Sequence, residues 1–176
     1  MSKIRLAQIE DWDRVIEIYN QAVRYGLQTA DMEEVYVSDK TEWFQEHDDA
    51  QYPIFVYELD NDVVGWLSIS PYRKGREALR FTAEVSYYID GNYQKMGIGS
   101  QLMKYALNRL PQLGIKSLFA ILLDVNIGSI KLLEKFGFKK WGHLPNIADF
   151  NGKVCGQYYY GYQIEELKQS GDKNGR

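Results

Sequence analysis

The segment YQKMGIGSQL, Tyr93 to Leu102, constrains the fold more than any other stretch of the chain. It follows FTAEVSYYID, a β-branched and aromatic run with the composition of a strand. From Gly97 onward, Ile98, Leu102, Ala106 and Leu110 recur at helical spacing until Pro111 ends the pattern. A strand must therefore hand the chain to a helix through a loop with two glycines one residue apart. A P-loop would need a lysine after Gly99, and a dinucleotide fingerprint would need a third glycine where Leu102 stands. A flexible turn before a helix is one reading that stays open. The other is an anion site. Consecutive N–H groups from Lys95 to Ser100 can hydrogen-bond a pyrophosphate, the helix dipole favours its charge, and Gly97 and Gly99 have no Cβ to keep the oxygens away.

Around this loop the chain alternates between strand and helix patterns. KIRLAQI alternates as a short strand, and EDWDRVIEIYNQAVRYG sets Trp12, Val15, Ile16, Tyr19 and Val23 on one helical face, with Gly26 as its stop. SDKTEWFQEHD predicts a second short helix with Ser38 as candidate N-cap. YPIFVYELD and VVGWLSIS read as a β-hairpin turning at Asn61 and Asp62, and PYRKGREALR is a polar, basic connection. KSLFAILLDV is nearly continuously apolar, which predicts a strand buried on both faces. NIGSIKLLEKFG predicts a helix capped by Asn126 and stopped by Gly137. Two more strands follow near FKKWGHL and GQYYYGYQI. The order β-α-α-β-β-β-α-β-α-β-β predicts one mixed α/β (α+β) sheet with helices on its faces. We expect one domain over residues 1–168 and a frayed polar tail over 169–176.

Composition narrows the class. The 176 residues are 45% hydrophobic and 26% charged, enough for one domain with a real core and little more. A formal net charge of −3 and no basic block argue against a nucleic-acid partner. The single Cys155 excludes an internal disulfide framework and fits a reducing compartment. With His47 and His143 as the only histidines, a metal site of soft ligands is not expected. MSKIRLAQIE has no signal-peptide core, and no stretch approaches the roughly 18 apolar residues of a membrane span. The expectation is a soluble, cytoplasmic protein without a membrane partner.

YQKMGIGSQL after EVSYYID resembles the Q/R-x-x-G-x-G/A motif of the GCN5-related N-acetyltransferase superfamily. LLDVNIGSIKLLEKFGF resembles that superfamily's next segment, in which an Asn begins a helix ending in GF. More narrowly, YNQAV, TAEVSYYID and GHLPNIADFNGK resemble the phosphinothricin acetyltransferase family, and the likeness runs from about Ile4 to Ile164. The resemblance implies a mostly antiparallel sheet, acetyl-CoA as cosubstrate without a metal, and a homodimer. It also implies acetyl transfer to the α-amine of a small amino-acid-like substrate such as phosphinothricin, methionine sulfoximine or methionine sulfone. Other readings are an acetyltransferase for a different small amine or drug, and a CoA-binding sensor without turnover.

The same resemblance assigns residues. Backbone groups of Tyr87, Tyr88 and Ile89 would pair with the pantetheine arm, and Gln94, Lys95, Met96, Gly97, Ile98, Gly99 and Ser100 would hold the pyrophosphate. Asn126 and Ser129, at the start of the second motif's helix, would contact the pantetheine region. Glu84 shares a strand face with Ser86 and Tyr88, where a carboxylate is costly unless it faces water, a cation or a polar cleft. The family places its proposed general base there. Arg73, Lys74, Arg76 and Arg80 crowd the connection before that strand, and Arg76, Lys74 and Arg80 are candidates to clamp a substrate carboxylate. Leu133 stands where relatives carry a Tyr or His as possible proton donor, and Asn151 where some carry a His, so no general acid is assigned. Asn151 is retained as a substrate contact. Cys155 is read as structural, and His143 as a strand residue.

Overall fold

The computed structural model describes residues 1–164, and the tail expected over 169–176 lies outside them. The strands are β1 (Ser2–Leu6), β2 (Ile54–Leu59), β3 (Asp62–Pro71), β4 (Thr82–Ile89), β5 (Ser117–Leu123), β6 (Lys139–Phe150) and β7 (Lys153–Gln163). The helices are α1 (Trp12–Tyr25), α2 (Thr41–Gln45), α3 (Ile98–Arg109) and α4 (Ile127–Lys135). Seven strands form one sheet in the order β1-β2-β3-β4-β5-β7-β6. Every neighbouring pair is antiparallel except β4–β5, which is parallel. Among the described residues, no helix is long and apolar enough to cross a membrane.

Period-2 alternation sorts the side chains into two cores. Phe55, Leu67, Ile69, Val85 and Leu118 point to the face covered by α3 and α4, against Ile98, Leu102, Met103, Ala106 and Leu133. Ile54, Val56 and Trp66 point to the other face and pack on Val15, Ile16 and Ile18 of α1 and Phe44 of α2. Local chemistry ends the helices as expected. Gly26 and Gly137 take positive φ at the ends of α1 and α4, and Asn126 Oδ1 accepts the Ser129 amide at 3.1 Å.

Four local expectations are corrected. The β2–β3 turn is made by Asp60 and Asn61, both at positive φ, while Asp62 already pairs with Leu59. Ser38 caps nothing: it lies inside a 3₁₀ turn over Val37–Lys40, where Asp39 Oδ2 accepts the Tyr36 amide at 2.8 Å. β5 alternates rather than being sealed on both faces, with Leu118 and Ala120 buried but Phe119 and Ile121 only partly so. The last hairpin is longer than expected: β6 runs on to Phe150 and turns at Asn151 and Gly152, both at positive φ. That Asn-Gly pair inside alternating sequence is a strong hairpin signal.

Candidate active site

The site is created by an incomplete pairing. β4 and β5 are matched only over Thr82–Ser117, Ala83–Leu118 and Glu84–Phe119, and beyond that rung the two parallel strands separate. Val85 to Ile89 and Ala120 to Leu122 thus become the walls of a cleft of ≈ 380 Å³. Its far end is closed by Gln94, Lys95, Gly97, Ile98, Gly99 and Ser100, and its side by Asn126, Gly128, Ser129, Leu132 and Leu133. Backbone groups of β4 that would have paired with β5 are left facing this opening, so an extended ligand can complete the ladder. Burial raises the phenols of Tyr87 and Tyr88 to about 12, so both are neutral donors near pH 7.

The glycine loop has the geometry of an anion cradle. Lys95 (φ 63) and Gly97 (φ 82) are both left-handed, which curls the intervening amides toward one side. The first-turn amides of α3, Ile98, Gly99 and Ser100, have no intrahelical acceptor. Lys135 of α4 donates to Ser100 Oγ at 3.0 Å and brings a second cation to the start of α3. The two glycines differ in purpose. A Cβ on Gly97 would meet nothing within 4 Å, so glycine is wanted there for its dihedral; a Cβ on Gly99 would sit 3.3 Å from Leu132 Cδ2, so glycine there lets α3 approach α4. The loop's entry is anchored by Asp90, whose carboxylate accepts from Gln21 at 2.9 Å, Arg14 at 2.7 Å and the Asn92 amide at 2.8 Å. Burial pushes the Asp90 carboxyl up, but these donors more than offset it and hold it below the ordinary carboxylate range. A phosphate-bearing, extended ligand fits this donor set and this opening.

Glu84 lies on the last paired rung, at the apex of the wedge. Burial alone pushes its carboxyl above the ordinary carboxylate range, and among the described residues it has no hydrogen-bond or ion-pair partner. The register explains the burial. Tyr72, leaving β3, reaches across β4 to stack on Phe119 of β5, with ring centroids 4.7 Å apart and planes at 17°. Trp141 and Tyr159 extend this wall edge-on to Phe119. On Glu84's other side stands Ser70 of β3, its partner in register.

Ser86 and Tyr88, on the face of Glu84, also line a second pocket of ≈ 170 Å³ with Val15, Ile16, Tyr19, Lys40, Trp43 and Trp66. Its polar atoms are mostly spent elsewhere. Trp66 Nε1 donates to Val15 O at 2.9 Å, and Tyr19 donates to Asp31 Oδ2 at 2.5 Å, so both present ring faces. Lys40 Nζ, 5.8 Å from the Tyr19 ring centre and 3.9 Å from Asp31 Oδ2, with which it pairs, is the cation lining this pocket. What the arrangement can do follows from its parts: hold an extended phosphorylated donor along one strand, seat a small acceptor on aromatic rings, and take a proton at Glu84, on the rung where the cleft begins.

Of the residues singled out from sequence, Tyr87, Tyr88, Ile89, Gln94, Lys95, Gly97, Ile98, Gly99, Ser100, Asn126 and Ser129 line the larger cleft together. Met96 does not; it is exposed in the loop. Arg73, Lys74, Arg76 and Arg80 are exposed and line neither pocket. Lys74 pairs with Glu46 at 2.9 Å, and Arg80 stacks over Phe81. Asn151 is an exposed turn residue at the tip of the β6–β7 hairpin. Leu133 is fully buried and reaches the cleft without a titratable group. Sequence reasoning missed Tyr19, Lys40, Trp43, Trp66, Tyr72, Lys135 and His47. Their partners are remote in the chain; only the aromatic richness of TEWF and GWL hinted at more than core packing.

Comparison with known proteins identifies the family. The model of the acetyltransferase (GNAT) family matches residues 12–138. The chain is 42% identical over 151 residues to the Bacillus subtilis protein named "Putative phosphinothricin acetyltransferase YwnH", covering 85% of this chain and 91% of that one. It is 30% identical over 155 residues to an L-methionine sulfoximine/L-methionine sulfone acetyltransferase of Pseudomonas aeruginosa, covering 86% and 88%. The crystal structure of a GNAT superfamily phosphinothricin acetyltransferase from Sinorhizobium meliloti in complex with AcCoA superposes with a TM-score of 0.86 at 24% identity, covering 93% of this chain and 88% of that one, a likeness of fold. On a family match over residues 12–138 and 42% identity to a relative over most of both chains, the chain belongs to the acetyltransferase (GNAT) family, as an acetyl-CoA-dependent N-acetyltransferase.

Proposed function

We propose that the chain acetylates the α-amine of a small amino-acid-like acceptor of the methionine sulfone, methionine sulfoximine or phosphinothricin type. The observation that carries this reading is the position of Glu84. It is desolvated and unpaired on the last β4–β5 rung, two residues before Ser86, which lines both the cofactor cleft and the aromatic pocket, while Glu84 itself lines neither. The names of the relatives point to the same acceptors.

In this reading the amides from Lys95 to Ser100 hold the pyrophosphate, with Lys95 and Lys135 adding charge. The exposed edge of Tyr87–Ile89 pairs with the pantetheine arm and sets the thioester at the wedge. Acetyl-CoA supplies an activated acyl group, so this chain's residues need to orient it, polarise its carbonyl with a β4 amide and deprotonate the acceptor. Glu84 takes the amine proton. A carboxyl raised by burial is a better base than an exposed one. The aromatic pocket takes the acceptor's side chain, and Lys40, which lines it, supports a negative or strongly polar group there better than the exposed Arg76, Lys74 and Arg80. Leu133 offers no proton, so the CoA sulfur leaves as the thiolate, the stable anion of a weakly acidic thiol.

Turnover of acetyl-CoA against an acceptor panel tests this. Methionine sulfone, methionine sulfoximine and phosphinothricin should be acetylated, and their decarboxylated amines and spermine should be poor. Lys40→Met should raise KM about 10-fold or more, the loss of one charge-assisted hydrogen bond. Equal rates on the decarboxylated amines would reject α-amino-acid recognition. A homodimer is part of the same proposal, supported by Trp141, Leu144, Ile147 and Val154, all exposed on the β6–β7 hairpin. A cytoplasmic location is supported by the free, buried Cys155, and recovery from an extracytoplasmic fraction would count against it.

A further inference from the structure

His47 follows α2 and lies 23 residues from its hydrogen-bond partner on β3. Its Nδ1 is 2.6 Å from the carbonyl oxygen of Trp43. A carbonyl can only accept, so Nδ1 carries the proton. Burial lowers the pKa of this ring, with Glu46 and Asp48 opposing that shift, so the neutral form is favoured and Nε2 is bare. Nε2 is 3.0 Å from Ser70 Oγ. The Ser70 hydroxyl must therefore donate to His47, and its oxygen is left with acceptor lone pairs alone. Trp43 holds the ring in place, with centroids 4.3 Å apart.

Ser70 is the residue directly opposite Glu84 in the β3–β4 register, on the same face. Directly opposed side chains stand about 4.5–5.5 Å apart at Cβ. A hydroxyl that donates to a carboxylate stabilises the charged form and weakens it as a base; one that can only accept stabilises the protonated form. We propose that His47 is a positioning residue for acetyl transfer: its fixed tautomer turns the Ser70 hydroxyl away from Glu84, so that Ser70 faces the carboxyl as an acceptor and keeps Glu84 a strong base. This rests on the reading of Glu84 as the base. The other titratable groups nearby are few. Tyr72 and Tyr159 stand in the wall on Phe119, Tyr88, four residues along the strand, stays neutral, and around His47 stand Glu46, which is paired with Lys74 at 2.9 Å, and Asp48.

The test is the pH dependence of kcat at saturating acetyl-CoA, with melting temperature recorded for each variant. His47→Ala frees the Ser70 hydroxyl to donate to Glu84, so the acid limb of the profile should move to lower pH and plateau kcat should fall by about 2- to 10-fold as the base weakens. His47→Gln, whose amide oxygen can accept from Ser70, should restore the wild-type limb. In a Ser70→Ala background, His47→Ala should cause no further shift, because His47 acts through that hydroxyl. An unmoved acid limb in a folded His47→Ala variant, or an equal shift with and without Ser70, overturns the proposal while leaving Glu84 as base. Full activity in Glu84→Gln would instead remove the base itself.

Discussion

Replacing Gly97 and Gly99 one at a time by alanine separates two meanings of the glycine pair. Gly97 sits at φ 82 with open space where a Cβ would be, so the cost of a methyl group is conformational and not steric. A left-handed non-glycine residue costs about 1–2 kcal/mol. For a chain of this size, each kcal/mol lowers Tm by about 2–4 °C, so Gly97→Ala should melt about 2–8 °C below the parent. Gly99 lies in the first turn of α3 at an ordinary φ, and its Cβ would come 3.3 Å from Leu132 Cδ2. Alanine is favoured over glycine in a helix by about 0.5–1 kcal/mol, and the terminal methyl of Leu132 can give a few tenths of an ångström. Gly99→Ala should therefore leave Tm within about 4 °C of the parent, from a net change under about 1 kcal/mol. Affinity for acetyl-CoA should split the same way. If the strain in Gly97→Ala relaxes by rotating the loop, one charge-assisted hydrogen bond is lost. At about 1.5–3 kcal/mol, that weakens binding about 10- to 100-fold. Thermal melting and isothermal titration calorimetry read both quantities. If Gly97→Ala matched the parent in Tm and in Kd, the left-handed cradle would not exist as described.

Glu84→Gln keeps the shape and removes the base, so kcat should fall about 10²–10⁴-fold with little change in acetyl-CoA affinity. The folded carboxyl titrates above its unfolded value, so its contribution to stability is full at low pH and is lost as pH rises through the folded pKa. Above the folded pKa the buried charge is a cost; Glu84→Gln should therefore raise Tm at the alkaline end of the range, and a lowered Tm there in differential scanning calorimetry would contradict the assigned burial. Ile147→Glu puts a charge on the exposed apolar part of β6 and should shift the protein from dimer to monomer in sedimentation equilibrium; a parent that is already monomeric would remove the dimer proposal.

What could be read from sequence is what local chemistry settles. The caps at Asn126, Gly26 and Gly137 and the stop at Pro111 depend on a few adjacent residues, and each stands where its own dihedrals and hydrogen bonds require. The period-2 pattern of β4 put Glu84, Ser86 and Tyr88 on one face, because alternate side chains must part to opposite sides of a sheet. The glycine loop was legible for the same reason: a strand, two glycines and a helix start are contiguous. The acceptor side was not. Which strand lies beside β4, and that their pairing ends at Glu84–Phe119, is a long-range fact that no local period encodes. The basic loop at Arg73–Arg80 is adjacent to Glu84 in sequence, yet its charges turn to solvent, where hydration is cheapest. The surroundings of Glu84 come instead from Ser70 and Tyr72, Phe119, and His47, drawn from three separate segments. Tertiary packing decided how far that carboxyl is desolvated, because burial belongs to whatever covers a residue and not to the residues beside it in the chain.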